Sequence, residues 1–335
     1  MRDLNKFYSI DLYGKSSKKP YNRGKSFGYQ ILGFGSGVTG SSFLPYQKGI
    51  FAFGTSNKSN LLGNTGVVAA DTTLVGTARF GSEGTGIGGD FGIIGYGSQD
   101  AADPSVLLSL SNLVSNLGVI QSDQGSVGTA RKGLGAATYG GQYGIFLYGE
   151  IPGDGRASKR NLVGNTGVVA ADATAAGTAR GIGSCTSYSA ENDKAFHVFG
   201  NTSSGDSNLS NLISNIGVVS ADVTGVGTAR NGPRAGTYGD DKAVVCFGGA
   251  GPSLLNTRNL ISNVGVVATD TSGAGTARYN LGCAPFGGDK CCFAYGVAGG
   301  NVSMSNLVSN TGVIAADTSG VGTAGSTMGT SGFGN

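Results

Sequence analysis

NTGVVAADTTLVGTAR, residues 64–79, is written six times in this chain with small changes. The other copies are NLGVIQSDQGSVGTAR (116–131), NTGVVAADATAAGTAR (165–180), NIGVVSADVTGVGTAR (215–230), NVGVVATDTSGAGTAR (263–278) and NTGVIAADTSGVGTAG (310–325). Their central Asp recurs at Asp71, Asp123, Asp172, Asp222, Asp270 and Asp317, at intervals of 52, 49, 50, 48 and 47 residues. A period near fifty marks a repeat architecture, in which each unit buries its apolar face against its neighbours.

A second motif alternates with the first. It is an apolar run closing on aromatic-Gly: GIFAFG (49–54), GIIGYG (92–97), GIFLYG (144–149), AFHVFG (195–200), AVVCFG (243–248) and CCFAYG (291–296). Short runs of Ile, Val, Phe and Tyr bounded by glycine read as strands. A run such as SNLVS or RNLIS then meets GVVAAD across Asn-x-Gly, first at Asn64-Thr65-Gly66. The Gly there supplies the positive φ of a tight hairpin. After the Asp comes a Thr/Ser/Gly loop, then GTAR, then a small-residue run such as YNLGCAPF (279–286). Four short strands per unit are expected, and no segment sustains a helical period.

Four strands around a central tight hairpin describe a propeller blade. Apolar run, aromatic-Gly, strand, tight turn, strand and closing Arg resemble the Kelch repeat across about residues 42–335. Two features depart from it: the Gly-Gly doublet survives mainly at Gly248-Gly249, and the chain has no Trp. Val and smaller residues are therefore expected to replace the Kelch tryptophan between blades. The phrasing NLVSNTGVIAADTSGVGTA is also similar to Kelch-like arrays in structural proteins of tailed bacteriophages. The expected fold is all-β: a six-bladed Kelch-like β-propeller over residues 41–335, with a non-repeat N-terminal arm over 1–40. Two segments compete to complete the first blade, the C-terminal GTAGSTMGTSGFGN (322–335) and SSFLPYQKG (41–49). Either would remove an exposed sheet edge.

Composition agrees with many short strands. The 335 residues hold 63 Gly and 7 Pro with no Gly-X-Y period, which excludes collagen. With 39% hydrophobic and 13% charged residues, the chain is not a highly charged disordered one. No apolar run has the length needed to cross a bilayer, so no membrane insertion is expected. MRDLNKFYSIDLYG lacks an apolar signal-peptide core, and secretion by the usual route is not expected. Cys185, Cys246, Cys283, Cys291 and Cys292 lie in strand-like runs and read as small core residues. Residues 1–25 carry seven Lys/Arg against two Asp, a charge of +5. The total is +3, so the remaining 310 residues are close to neutral at −2. The arm is basic; the body is not.

The candidate site residues each have a structural reading. One Asp per blade is too far from its copies for a calcium site, and each Asp is expected to cap the loop that follows it. Arg79, Arg131, Arg180, Arg230 and Arg278, with Gly325 in the sixth copy, are expected to bond carbonyls or carboxylates between adjacent blades. A single histidine, His197, allows neither a repeated Ser-His-Asp triad nor a multi-His metal site. It reads as local packing or surface, and its solitude removes the copper-oxidase chemistry known for some Kelch propellers. GTGIGGDFG (84–92) lacks the Lys-Ser/Thr of a phosphate loop and precedes a strand, so it reads as an inter-strand turn. Sequons at Asn57, Asn201, Asn208 and Asn301 are expected by chance in a Ser/Thr/Asn-rich chain. Cys291 and Cys292, adjacent in a strand, should point to opposite faces and not join Cys283 in a thiolate cluster.

No catalytic residue, cofactor or metal is expected. The resemblance implies a non-enzymatic virion structural protein, assembled in the host cytoplasm and displayed on a tail or capsid. Other virion proteins would be met through residues 1–40, without nucleic acid, and homo-oligomerisation stays open. The alternative is a module binding a host glycan or surface protein through exposed loop aromatics such as Tyr143, Tyr188 and Tyr279.

Overall fold

The computed structural model describes residues 45–100, 106–152 and 155–334, all within the unit Phe43–Asn335. The arm expected over residues 1–40 lies outside the described residues. What is described is almost wholly antiparallel β-structure, with one short 3-10 turn at Ala190–Asn192.

Six sheets of three or four strands follow one another along the chain, and two two-stranded ribbons, Asn201–Thr202 with Gly205–Asp206 and Gly249–Ala250 with Ser253–Leu254, lie among them. The second is built from Glu83–Ile87, Phe91–Ser98 and Leu107–Val114; the third from Gly135–Tyr139, Tyr143–Leu147 and Lys159–Val163. The fourth holds Ser184–Tyr188, Lys194–Val198 and Ser210–Ile213, and the fifth Arg234–Tyr238, Lys242–Cys246 and Arg258–Ile261. The sixth holds Gly282–Phe286, Lys290–Ala294 and Ser305–Val308. The first sheet joins the two ends of the chain. Its first strand is the C-terminal Gly329–Phe333, paired antiparallel with Lys48–Phe53 from Lys48↔Phe333 to Ala52↔Gly329, and Lys58–Leu62 follows. The C-terminal run takes this place, while Pro45–Gln47 of the rival segment lies outside any strand.

The expected fourth strand is largely missing. It survives as two-residue strands at Thr72–Thr73 and Ala173–Thr174, and elsewhere as single bridges such as Ser210↔Val223. The reason is a side chain. A buried Asn in the third strand donates to the backbone nine residues on, as Asn161 Nδ2 does to Ala170 O at 2.9 Å, where a ladder bond would otherwise form. The phosphate-loop look-alike at 84–92 is also reassigned in part. Residues 84–87 belong to the strand Glu83–Ile87 and 91–92 to Phe91–Ser98, and only 88–90 turn.

Packing runs between consecutive sheets. The first strands are rich in Gly, Ala, Ser and Thr, which lets their backbones come close. Gly329–Phe333 packs on Glu83–Ile87, that strand on Gly135–Tyr139, and so on through Gly282–Phe286, which packs back on Gly329–Phe333. Hydroxyls stitch the series: Ser331 Oγ donates to Thr85 O at 2.9 Å, and Ser187 Oγ to Thr138 O at 2.8 Å. Six apolar clusters among the described residues lie one between each pair of consecutive sheets, including the sixth and the first.

Aromatic edges fill three of these interfaces, where Val and smaller residues were expected; aliphatic Val245 and Ile94 stand at the same position in the fifth and second sheets. Phe146 meets Tyr96 edge-on at 5.1 Å, Phe293 meets Phe247 at 5.5 Å, and Phe51 meets Tyr295 at 5.4 Å. His197 occupies the same position in the fourth sheet, edge-on to Tyr148 at 4.9 Å, and is buried. Its reading as packing holds; its reading as surface does not. The five cysteines are buried and free. Cys291 and Cys292 diverge as expected, into different clusters.

Candidate functional site: the clamp between repeats

The sequence letters that recur most faithfully converge between sheets. At the junction of the second and third sheets, Arg131 is fully buried with its guanidinium carbon 4.1 Å from the centre of the Tyr96 ring. Its Nε donates to Tyr148 O at 2.8 Å, and its Nη1 to Thr129 O at 3.1 Å. Its Nη2 donates to Asn161 Oδ1 at 2.6 Å. Asn161, also fully buried, passes the contact on, donating to Asp172 Oδ1 at 2.9 Å. Asp172 in turn accepts the Thr129 backbone N–H at 3.0 Å and the Thr129 hydroxyl. Arg131 and Thr129 leave one repeat; Asn161 and Asp172 belong to the next. The loop is closed, and each member needs the others.

Local structure explains the GTAR spelling. The Gly before Thr has positive φ, +101° at Gly76, and a Cβ there would lie 2.6 Å from both Asn112 Nδ2 and Asp123 Oδ1 of the next repeat. Only Gly gives that approach. Thr then presents its N–H and hydroxyl to the carboxylate, as Thr77 does to Asp123 at 3.1 and 2.6 Å. Two residues on, Arg carries its charge back over the preceding aromatic, 3.9 Å from the Phe53 ring in the case of Arg79. Those aromatics hold φ near +60°, from +58° at Tyr148 and Phe199 to +66° at Phe247, a region that costs a bulky residue energy.

The arrangement sets the charges. Burial weakens the hold of Arg79 on its proton, pushing it down to about 10 against the pull of Asp123. For Asp172, burial works upward but is outweighed by the bonds from Thr129 and Asn161 and the charge of Arg131, which hold it at about 2. Both groups are therefore ionised at neutral pH. Arg180 departs slightly: its Nε donates to Phe199 O at 3.0 Å and to His197 Nδ1 at 3.2 Å. Burial first, and then that neighbouring cation, push His197 well below its ordinary range, so it stands as a neutral acceptor.

The sixth junction is incomplete. Thr323 still donates its N–H to Asp71 Oδ2 at 3.0 Å across 252 residues of sequence, and Asn60 still reaches Asp71 Oδ1 at 2.9 Å. Gly325 stands where Arg would. Asn60 Oδ1, buried, is consequently left with no partner. The Met328 methyl fills part of the gap, 2.6 Å from where a Cβ on Gly325 would lie.

Against expectation, each Asp does not cap its own loop: its Thr partner lies in the neighbouring repeat. The arginines do bridge repeats, as expected. Sequence reasoning passed over Asn60, Asn112, Asn161, Asn211, Asn259 and Asn306, although the Asn-Leu pair in every SNL or RNL run was the available signal. The loop aromatics do not come together. Tyr188 is buried, whereas Tyr143 and Tyr279 sit at opposite ends of their sheets, one beside the first turn and the other bridged to Val297.

A second polar contact crosses the first strands. Arg234 of the fifth sheet pairs with Glu83 of the second, both buried, although those sheets are not consecutive. Burial pushes the Glu83 carboxyl up to about 7 against the opposing charge of Arg234. Tyr46 inserts its ring where Gly86 and Gly332 lack side chains, touching first strands of both the first and second sheets. No protein-family model and no curated protein matches the chain.

Proposed function

We propose that the six sheets are the blades of one closed β-propeller of Kelch-like order, and that the chain is a non-enzymatic virion structural protein. In this reading the propeller is a rigid body displayed on a phage tail or capsid and docked by residues 1–40. The observation that carries it is the repeated clamp. The residue types that would otherwise suggest chemistry, Asp, Arg, Asn and Thr, are bonded to one another between repeats. Catalysis instead needs one asymmetric constellation of unlike groups. Six interfaces for six sheets support closure, since an open row of six would have five. The Glu83–Arg234 pair supports it too, joining sheets that would face each other across a ring.

The test is removal of residues 1–40. The shortened chain is expected to keep the melting temperature of the full chain and to be lost from purified particles. Retained incorporation would refute docking by the arm. Adsorption of both forms to host cells through the blades would move the assignment to a receptor-binding module.

A further inference from the structure

One apolar side chain is exposed in all six repeats, and always at the same place. It is the Val that follows the Asn-x-Gly turn: Val67, Val119, Val168, Val218, Val266 and Val313, exposed from 50% to 70%. Its neighbour one residue on points inward, as Val219 and Ile314 do at 4% exposed, because side chains alternate along an extended segment. Leu117, Ile216 and Val264 at the middle of three turns enlarge the exposed set.

These tips share one end of the sheets with the turns joining first and second strands. Asn64 O lies 3.0 Å from where a Cβ on Gly287 would stand, and Asn310 O and Asn215 O lie 2.7 and 2.8 Å from the same point on Gly239 and Gly140. The chain itself enters at this end. Gly287 N–H bonds Gln47 O at 2.9 Å, and Gly288 N–H bonds Tyr46 O at 3.2 Å. The first described residue, Pro45, thus lies at the end that carries the six tips, and the sequence before it holds a charge of +5 in its first 25 residues. At the other end no apolar position among the described residues is exposed in every repeat. Val75, Val226 and Val321 are exposed, but Ala176 and Ala274 replace them in two repeats.

We propose that the hairpin-tip end is the face laid against the assembly, and that its occupant is an acidic protein surface with apolar sockets for the tips. This rests on the virion reading above and adds the orientation. A basic arm steers toward an acidic partner and sets register, while valines that leave water supply contact. A lipid surface fits less well: interfacial binding uses Trp, Phe and Leu flanked by cations, and these tips carry Val among Asn and Thr.

Because all five native cysteines are buried, a single introduced cysteine reports on one place. Thr65→Cys marks the tips and Ser203→Cys the opposite end, both exposed in the free chain. Labelling with a polyethylene-glycol maleimide is followed on the purified chain and on intact purified virions. Expected is at least tenfold protection of Thr65→Cys on virions, with Ser203→Cys labelled equally in both. Equal labelling of Thr65→Cys in both would overturn the orientation while leaving the virion role intact. Absence of the chain from virions would overturn both. Mass in solution and sedimentation with phosphatidylcholine–phosphatidylserine vesicles complete the test. A dimer, or vesicle binding, abolished by Val168→Ser with Val266→Ser would replace the protein surface by a second copy or a membrane.

Discussion

Arg131 is surrounded on every side by groups that need it. Deleting its side chain leaves the buried Asn161 Oδ1 and Tyr148 O without their donor and uncovers the Tyr96 ring. Arg131→Ala should therefore cost roughly 2–4 kcal/mol, the range for breaking one side of a buried charged network. Lys290→Ala, which removes a partly exposed pair with the adjacent Asp289, should cost about 1 kcal/mol or less. Chemical denaturation of the two variants checks the contrast, and equal losses would refute the clamp as an energetic unit. Glu83 gives a pH signature. Its folded-state value of about 7 exceeds its ordinary 4.5, so the folded chain keeps a proton that the unfolded chain releases. Stability from this group is full below about 4.5 and is lost as pH rises through about 7. Denaturation between pH 5 and 7.5 should show stability falling with pH in the native chain and a flatter profile in Glu83→Gln. At this scale the sequence was half legible. Arg as an inter-repeat donor could be inferred from its fork of donors and its loss in the sixth copy. The recurrence of Asn-Leu was visible, but its role could not be read without knowing that the amide faces the interior.

Strands one to three of each unit were readable because their apolar runs and glycines follow strand grammar directly. The fourth was overread. GVVAAD has strand composition, but its backbone pairs only in part: Ala170 N–H bonds Leu162 O at 2.8 Å, while Ala170 O takes the Asn161 side-chain amide at 2.9 Å. The tight turn was legible for a firmer reason. Gly217 has φ +74°, and a Cβ there would lie 2.8 Å from Leu162 Cδ2 and 2.9 Å from Tyr139 Cζ of the preceding repeat. Gly217→Ala should destabilise by about 1–2 kcal/mol through backbone strain and overpacking together. Gly125→Ala, with open space around its Cβ, should change stability by less than about 0.5 kcal/mol. Thermal melts of the pair decide whether the turn is held by its neighbour repeat or only by itself.

At the scale of the whole unit, the period near fifty announced six repeats, yet the manner of joining first to last stayed open because the copies are so alike. The contacts that decide the pairing are long-range: Gly329–Phe333 beside Lys48–Phe53, and Thr323 on Asp71. This junction is also where the clamp lacks its Arg, so the joining of the sixth repeat to the first rests on the C-terminal strand, the Thr–Asp contact and apolar packing around Met328. The most direct test of the proposed ring is small-angle scattering from residues 43–335. A closed propeller predicts a radius of gyration of about 19 Å, the value for a compact chain of this length. An elongated profile with a radius well above about 25 Å, outside that compact scaling, would contradict closure.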